Sequence, residues 1–273
     1  DRRAEARAHN RHSTEWYRNL ARSVVKERNK VYEALSSWQP AVSVFGGSRV
    51  PETHSYYAMG KQVGKRLADY DLPLRTGAAR TGLMQAPFEG SQTRKRRGRQ
   101  RQGIRIVLSS EQQVTSLADH VERFEYFLTR KLALHEQIVG AIVMPGGFGT
   151  MDELFEVWRR GRPFVLLGRD FWEPLFSDKR PLSAFYRAWD QAGLMPQIRA
   201  RLQPFITDSP DEAVQYLKEA SLTNPPYRPT REHLKAANLE MHLGLRNLAR
   251  LGPGFVIVGR PDPESFHAGV SEY

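Results

Sequence analysis

Pro145, Gly146, Gly147, Phe148, Gly149, Thr150, Met151, Asp152 and Glu153 stand in a row between two apolar segments. The first, Ile138 to Met144, reads as a buried strand, and Met151, Leu154, Phe155 and Trp158 follow at the i, i+3, i+4, i+7 spacing of a helix face. A strand, a glycine turn and a helix start together cradle an anion. Glycines let backbone N–H groups converge, and the helix N-terminus adds partial positive charge. Glu153 is the unusual member, a carboxylate one turn inside a site otherwise built for phosphate. Such a site fits a reaction that needs an anchor for an anion and a general base. A plainer account makes Asp152 and Glu153 first-turn acids that complement the helix dipole.

The elements that must position this turn alternate along the chain. Expected strands are Ala41 to Phe45, Leu72 to Thr76, Ile104 to Leu108, Ile138 to Met144, Pro163 to Leu167 and Phe205 to Thr207. Helices are expected at Tyr57 to Tyr70, Leu83 to Ser91, Phe124 to Gln137, from Met151 onward, at Leu182 to Ala192 and at Asp211 to Glu219. Alternation of this kind is the sign of an α/β fold with a doubly wound, mostly parallel sheet, Rossmann-like in outline. Residues 1–38 form a helical N-terminal extension, 39–222 the nucleotide-binding domain and 223–273 a C-terminal extension. Within the last, a helix at 230–251 and a strand at Phe255 to Val258 are expected.

In such a sheet, Gly46 to Arg49, Gly77 to Met84 and Gly146 to Glu153 lie along one edge, where open α/β sheets bind ligands. Phe127 to Lys131 enters the same region on the preceding helix.

Together these residues resemble the LOG ("Lonely guy") family of phosphoribohydrolases, long mislabelled lysine decarboxylases. The resemblance rests on Pro-Gly-Gly-x-Gly-Thr-x-x-Glu at 145–153, Arg130-Lys131, Gly82-Leu83-Met84 and Gly46-Gly47-Ser48-Arg49, and covers residues 41–220. It implies hydrolysis of the N-glycosidic bond of a nucleoside 5′-monophosphate, such as AMP or a cytokinin nucleotide, to free base and ribose 5-phosphate. It further implies Arg130 and Glu153 as the catalytic pair, a homodimer or larger homo-oligomer, and no metal or organic cofactor.

On that basis Gly146, Gly147, Gly149 and Thr150 are expected to hold the 5′-phosphate. Gly46, Ser48, Arg49 and Gly77 line the nucleotide site, and Met84 offers an apolar surface to the base. Arg130 is expected to keep Glu153 ionised, because a nearby cation lowers a carboxylate pKa. The chain departs from the family at Gly77-Ala78-Ala79-Arg80-Thr81-Gly82, where a glycine run is usual. A non-catalytic nucleotide or molybdenum-cofactor carrier on the same fold is the alternative that this departure keeps open.

Composition narrows the rest. The 273 residues carry a net charge of +11 and no cysteine, which favours anionic partners and leaves no disulfide or thiolate chemistry. A cysteine-free chain with no signal-peptide pattern and no bilayer-length apolar run fits a cytoplasmic protein with no membrane partner. Much of the charge sits in the Arg-rich 93–105 segment. That segment could bind nucleic acid, but it lacks interleaved aromatics, so a solvated loop is the expectation. His135-Glu136 begins like a zinc-binding His-Glu-x-x-His, but Val139 occupies the second ligand position.

Overall fold

Six consecutive buried residues, Ile138–Val143, form a strand that is shielded on both faces, as the centre of a parallel sheet requires. This strand is β5 in a computed structural model that describes residues 14–92, 100–107, 113–176, 191, 204–223 and 225–226. The other strands are β1 (Ala41–Phe45), β2 (Leu74–Thr76), β3 (Arg101–Ile106), β4 (His120–Phe124), β6 (Phe164–Leu167) and β7 (Phe205–Thr207). They make one seven-stranded sheet in the order β4-β3-β2-β1-β5-β6-β7. Every neighbouring pair is parallel.

The order reverses between β1 and β5, which makes the sheet doubly wound and puts its switch point there. The two strands end level, with Phe45 paired to Val143. Their following turns therefore emerge side by side, the position at which such sheets hold ligands.

Helices α1 (Thr14–Ser37), α2 (Ser55–Asp69), α3 (Gly82–Ser91), α4 (Phe127–His135), α5 (Phe148–Arg159), α6 (Arg169–Phe176) and α7 (Pro210–Thr223) complete the described elements. His54 caps α2, its Nδ1 accepting a 3.1 Å hydrogen bond from the Tyr56 amide. Gly64 of α2 meets the backbone of Pro87 of α3, and Gly90 of α3 meets that of Lys61, so neither position has room for a β-carbon. Between helices and sheet, Val42, Val44, Val63, Leu67, Leu83, Phe88, Ile142, Met144, Val165 and Leu217 form a continuous apolar core. Residues 37–228 make one compact unit that contains the whole sheet, and residues 1–36 and 229–273 make another.

The structure corrects the sequence reading in three places. His120–Phe124 is an unexpected edge strand, so the expected 124–137 helix shrinks to Phe127–His135. Strand β3 begins at Arg101 and ends at Ile106, ahead of the expected start at Ile104. Helix α6 was not anticipated, because Pro174 inside it breaks the helical pattern. The expected helices at 182–192 and 230–251, the strand at 255–258 and the 93–99 part of the Arg-rich segment lie outside the described residues, apart from the single helical residue 191. Among the described residues no helix is long and apolar enough to cross a membrane.

Candidate active site

Three glycine-bearing turns meet at the switch point, and Gly47 joins them. Its amide donates to the Pro145 carbonyl at 2.9 Å, and its own carbonyl accepts from the Leu83 amide at 2.9 Å. Gly82 sits in the left-handed region with φ 56° and presses against the backbone of Gly47 and Ser48, which leaves no space for a side chain. Gly46 faces inward, where a β-carbon would stand 2.8 Å from Leu83 Cβ and 3.2 Å from Met144 Cβ. Its role is therefore packing beneath the turn.

The turn after β5 opens outward. Gly147 is the N-cap of α5 in extended geometry, and no side chain caps the helix. A β-carbon on Gly147 or Gly149 would meet nothing within 4 Å, and Phe148 between them is 78% exposed. An uncapped helix start flanked by open space suits an anion, which would accept the first-turn amides. Thr150 is buried instead, its side chain lying against Gly146.

Arg130 and Glu153 come together behind this cradle. Arg130 projects from α4 and donates through Nε to the Ile104 carbonyl within β3, at 3.3 Å. Its Nη1 stands 3.8 Å from Glu153 Oε1, and the two side chains keep only 16% and 18% of their exposure. Gly77 makes room for the guanidinium, since a β-carbon there would lie 2.7 Å from Arg130 Nη2 and 2.6 Å from Met84 Sδ. Gly77, Met84, Arg130 and Glu153 are thus gathered at one place.

Burial pushes the Glu153 carboxyl up to about 7, with Arg130 pulling it down and Asp152 adding to the rise. The expectation that Arg130 would hold Glu153 ionised is therefore corrected. At 3.8 Å the pair is an ion pair without a hydrogen bond, and the lost hydration outweighs the attraction. Burial likewise lowers the Arg130 guanidinium, against the opposing pull of Glu153.

Two supporting residues escaped the sequence reading. His135 stacks on Phe45 of β1 with ring centroids 5.3 Å apart. Its Nδ1 lies 2.7 Å from the Lys131 carbonyl and its Nε2 3.3 Å from the Glu153 carbonyl. It thereby links the helix that carries Arg130, the helix that carries Glu153 and the first strand. Burial lowers its pKa and favours the neutral ring, which donates a hydrogen bond to one of the two carbonyls and only contacts the other. Arg75, fully buried in β2, donates Nη1 to the carbonyls of Ala133 and Glu136 at the end of α4, and Nε to Gln102 Oε1 at 2.9 Å. The i, i+4 spacing of Lys131 and His135 is a sequence signal for the first; nothing in the sequence marks the second.

Lys131 pairs with Asp152 at 2.6 Å on the outer side of the same two helices. Glu156 accepts from Arg160 at 2.6 Å and Arg159 at 2.7 Å, which overrides its burial and holds its pKa below the usual range. These bonds occupy Glu156 in a surface network.

Ser48 and Arg49 line a cavity of about 360 Å³ together with Arg80, Thr81 and Gln113. In the same turn Ala78 adopts φ 61°, a region that alanine enters only with strain, yet it is 1% exposed. Its methyl group packs toward Gly103 of β3, where a second β-carbon would come within 2.8 Å.

Comparison with known proteins agrees with this part of the chain. The family model described as "Possible lysine decarboxylase" matches residues 84–217, a span that includes Met84, Arg130 and the 145–153 motif. The chain is 29% identical over 142 residues to the "Probable cytokinin riboside 5'-monophosphate phosphoribohydrolase LOGL6" of Oryza sativa subsp. japonica. That match spans 49% of this chain and 54% of the rice protein.

Among solved structures, similarity extends to a molybdenum cofactor binding protein from the phototrophic bacterium Rippkaea orientalis, with TM-score 0.48 and 19% identity over 67% of this chain and 98% of that one. The molybdenum cofactor carrier protein of Chlamydomonas reinhardtii is similar at TM-score 0.45 and 17% identity, over 68% and 99% of the two chains. The resemblance to the LOG family read from the glycine-turn motif is thereby borne out, by the family model over residues 84–217 and by the rice relative.

Proposed function

We propose that the protein hydrolyses the N-glycosidic bond of a nucleoside 5′-monophosphate. The observation that carries this reading is the Arg130–Glu153 pair, 3.8 Å apart, set behind an uncapped glycine helix start. The α5 N-terminus binds the 5′-phosphate, with Gly147 and Gly149 leaving it clear. The phosphate anchors the ribose, and positioning of this kind supplies much of a catalytic site's advantage.

Cleavage of a ribosyl C–N bond builds oxocarbenium-like positive charge on the sugar. Ionised Glu153 stabilises that charge and takes a proton from the attacking water as its oxygen bonds to C1′. The C–N electrons leave with the base, which gains a proton, and ribose 5-phosphate remains. A carboxyl titrating at about 7 is suited to this work, because it can accept and return a proton near neutrality. Met84, beside Gly77, gives the departing base a polarisable apolar surface.

The test is incubation of purified protein with AMP, CMP, GMP, UMP, IMP and isopentenyl-AMP, followed by chromatography of the products. Release of a free base from at least one supports the proposal. Intact nucleotide in every reaction overturns it, and a nucleotide that binds but stays whole assigns the protein to the carriers instead.

A further inference from the structure

Arg75 of β2 has no exposed surface, yet it carries a cation into the core. Its Nε donates to Gln102 Oε1 of β3 at 2.9 Å, and its Nη1 to the carbonyls of Ala133 and Glu136 at the end of α4. All three acceptors are neutral. The Glu136 carboxylate attracts the guanidinium but is itself bonded to Arg160 at 2.7 Å. Burying a charge on these terms is costly, so stability alone does not account for it. What arginine supplies, and an apolar side chain cannot, is a rigid fork whose donors reach two elements at once.

The fork joins the sheet to the helix that carries Arg130. Helix α4 has only nine residues, Phe127–His135, and the carbonyls of its last turn need partners from outside the helix. Arg75 serves those of Ala133 and the C-cap Glu136, and Ser43 Oγ of β1 donates to that of Leu134 at 2.8 Å. A cation at this end also complements the helix dipole.

Strands β2 and β3 hold Arg130 in the same way, one step further along. Gln102, which is paired with Arg75 in the sheet, takes the Arg75 Nε–H. Ile104, two residues on, takes the Arg130 Nε–H at 3.3 Å. Gly77, two residues after Arg75, is the position that makes room for the Arg130 guanidinium. One pair of strands thus grips α4 twice, at its end through Arg75 and again at Arg130 itself.

We propose that Arg75 is a positioning residue for Arg130: it fixes how far α4 sits along β2 and β3, and thereby holds the Arg130 guanidinium opposite Glu153. The inference rests on the reading of Arg130 and Glu153 as the pair that acts on the nucleotide, but the placing of Arg130 is measurable without substrate.

Carbon-13 NMR of the Glu153 carboxyl in the whole chain reads that placing, because the nearby charge of Arg130 lowers this group's pKa. Lys131 acts in the same sense and Asp152 in the opposite one, and those two are bonded to each other. Arg75→Lys keeps the cation but loses the fork. In it the Glu153 titration should move up by about half a pH unit or more, with kcat about tenfold lower and KM within about twofold. Wild-type titration and kcat in the folded variant overturn the proposal, however early it melts. Where Arg75→Lys fails to fold, Ser43→Ala decides instead. It removes the bond to the Leu134 carbonyl and no charge, and should move both readings the same way by a smaller amount; wild-type values there overturn the proposal too. If the wild type releases no base from any nucleotide, the titration alone decides: a shift in the variant keeps the positioning role of Arg75 and ends the hydrolase.

Discussion

Gly77 lies directly beneath the guanidinium of Arg130: a β-carbon built on it would stand 2.7 Å from Nη2, closer than such carbons sit in real proteins. The turn after β2 is thus shaped around Arg130. The atoms in the way, Arg130 Nη2 and Met84 Sδ, are the far ends of flexible side chains. Gly77→Ala should therefore leave the melting temperature nearly unchanged while turnover falls about tenfold to a hundredfold, since small misplacements near the reacting centre cost that much. A variant that melts early and keeps full turnover would reverse this assignment.

Arg130 and Glu153 are predicted to act in the transition state. Glu153→Gln and Arg130→Ala should each reduce kcat by about 10² or more, with a smaller change in KM. Steady-state kinetics on the nucleotide that the wild type turns over is the check, and kcat within a few-fold of wild type in either variant rules out its role.

The pH dependence follows from the Glu153 carboxyl at about 7. As the base it must be ionised, so kcat/KM should rise through an acid limb near pH 7 and level off above it. Stability runs the other way. The folded state binds this proton more tightly than the unfolded chain does, so the contribution is full below about 4.5 and lost as pH rises through about 7. Relative to wild type, Glu153→Gln should gain on the order of 3 kcal/mol between pH 4 and pH 8, before any cost of leaving Arg130 unpaired. Urea unfolding at the two pH values measures the difference, and parallel profiles for the two proteins would contradict the raised pKa.

His135 is a positioning residue in this scheme. His135→Phe keeps an aromatic ring against Phe45 but removes the links to the Lys131 and Glu153 carbonyls. It should lower kcat about tenfold with KM within about twofold, and cost about 1 kcal/mol for the lost hydrogen bond. A rise in KM at constant kcat would show that the ring serves binding instead.

Gly82→Ala probes the joint between the turns. At φ 56° and against the backbone of Gly47 and Ser48, the added methyl group meets both strain and overlap. A loss of about 3 kcal/mol or more is expected in chemical denaturation, far above a surface substitution. A change below about 1 kcal/mol would mean that the turns can separate freely.

The central strands and the turn that carries Glu153 were legible because their signals are local, whereas Arg130 entered only through the resemblance to the LOG family. Ile138–Val143 is apolar throughout, and the 145–153 motif names its own strand, turn and helix. Strand β4 was hidden because it sits at the sheet edge, where His120, Glu122 and Arg123 need not be apolar. Strand β3 starts in residues that look like a solvated loop. Gln102 is buried there because Arg75, the Gln39 carbonyl and Gln100 complete its hydrogen bonds, and the first two lie 27 and 63 residues away in the chain. The Glu153 pKa also lay beyond sequence reasoning, since it depends on how much water reaches the carboxylate rather than on which cation is its neighbour.

One consequence follows from the double hydrogen bonding of Gly47. Its N–H goes to Pro145 and its C=O to Leu83, residues nearly one hundred and about forty positions away in sequence, at the reversal in the strand order. The proposed binding place is therefore a clasp on the two halves of the sheet, with no existence as a local loop. The amide of Gly47 crosses from one half to the other and exchanges with solvent only when those halves part, so the shape of the proposed binding place and the integrity of the sheet are a single cooperative property.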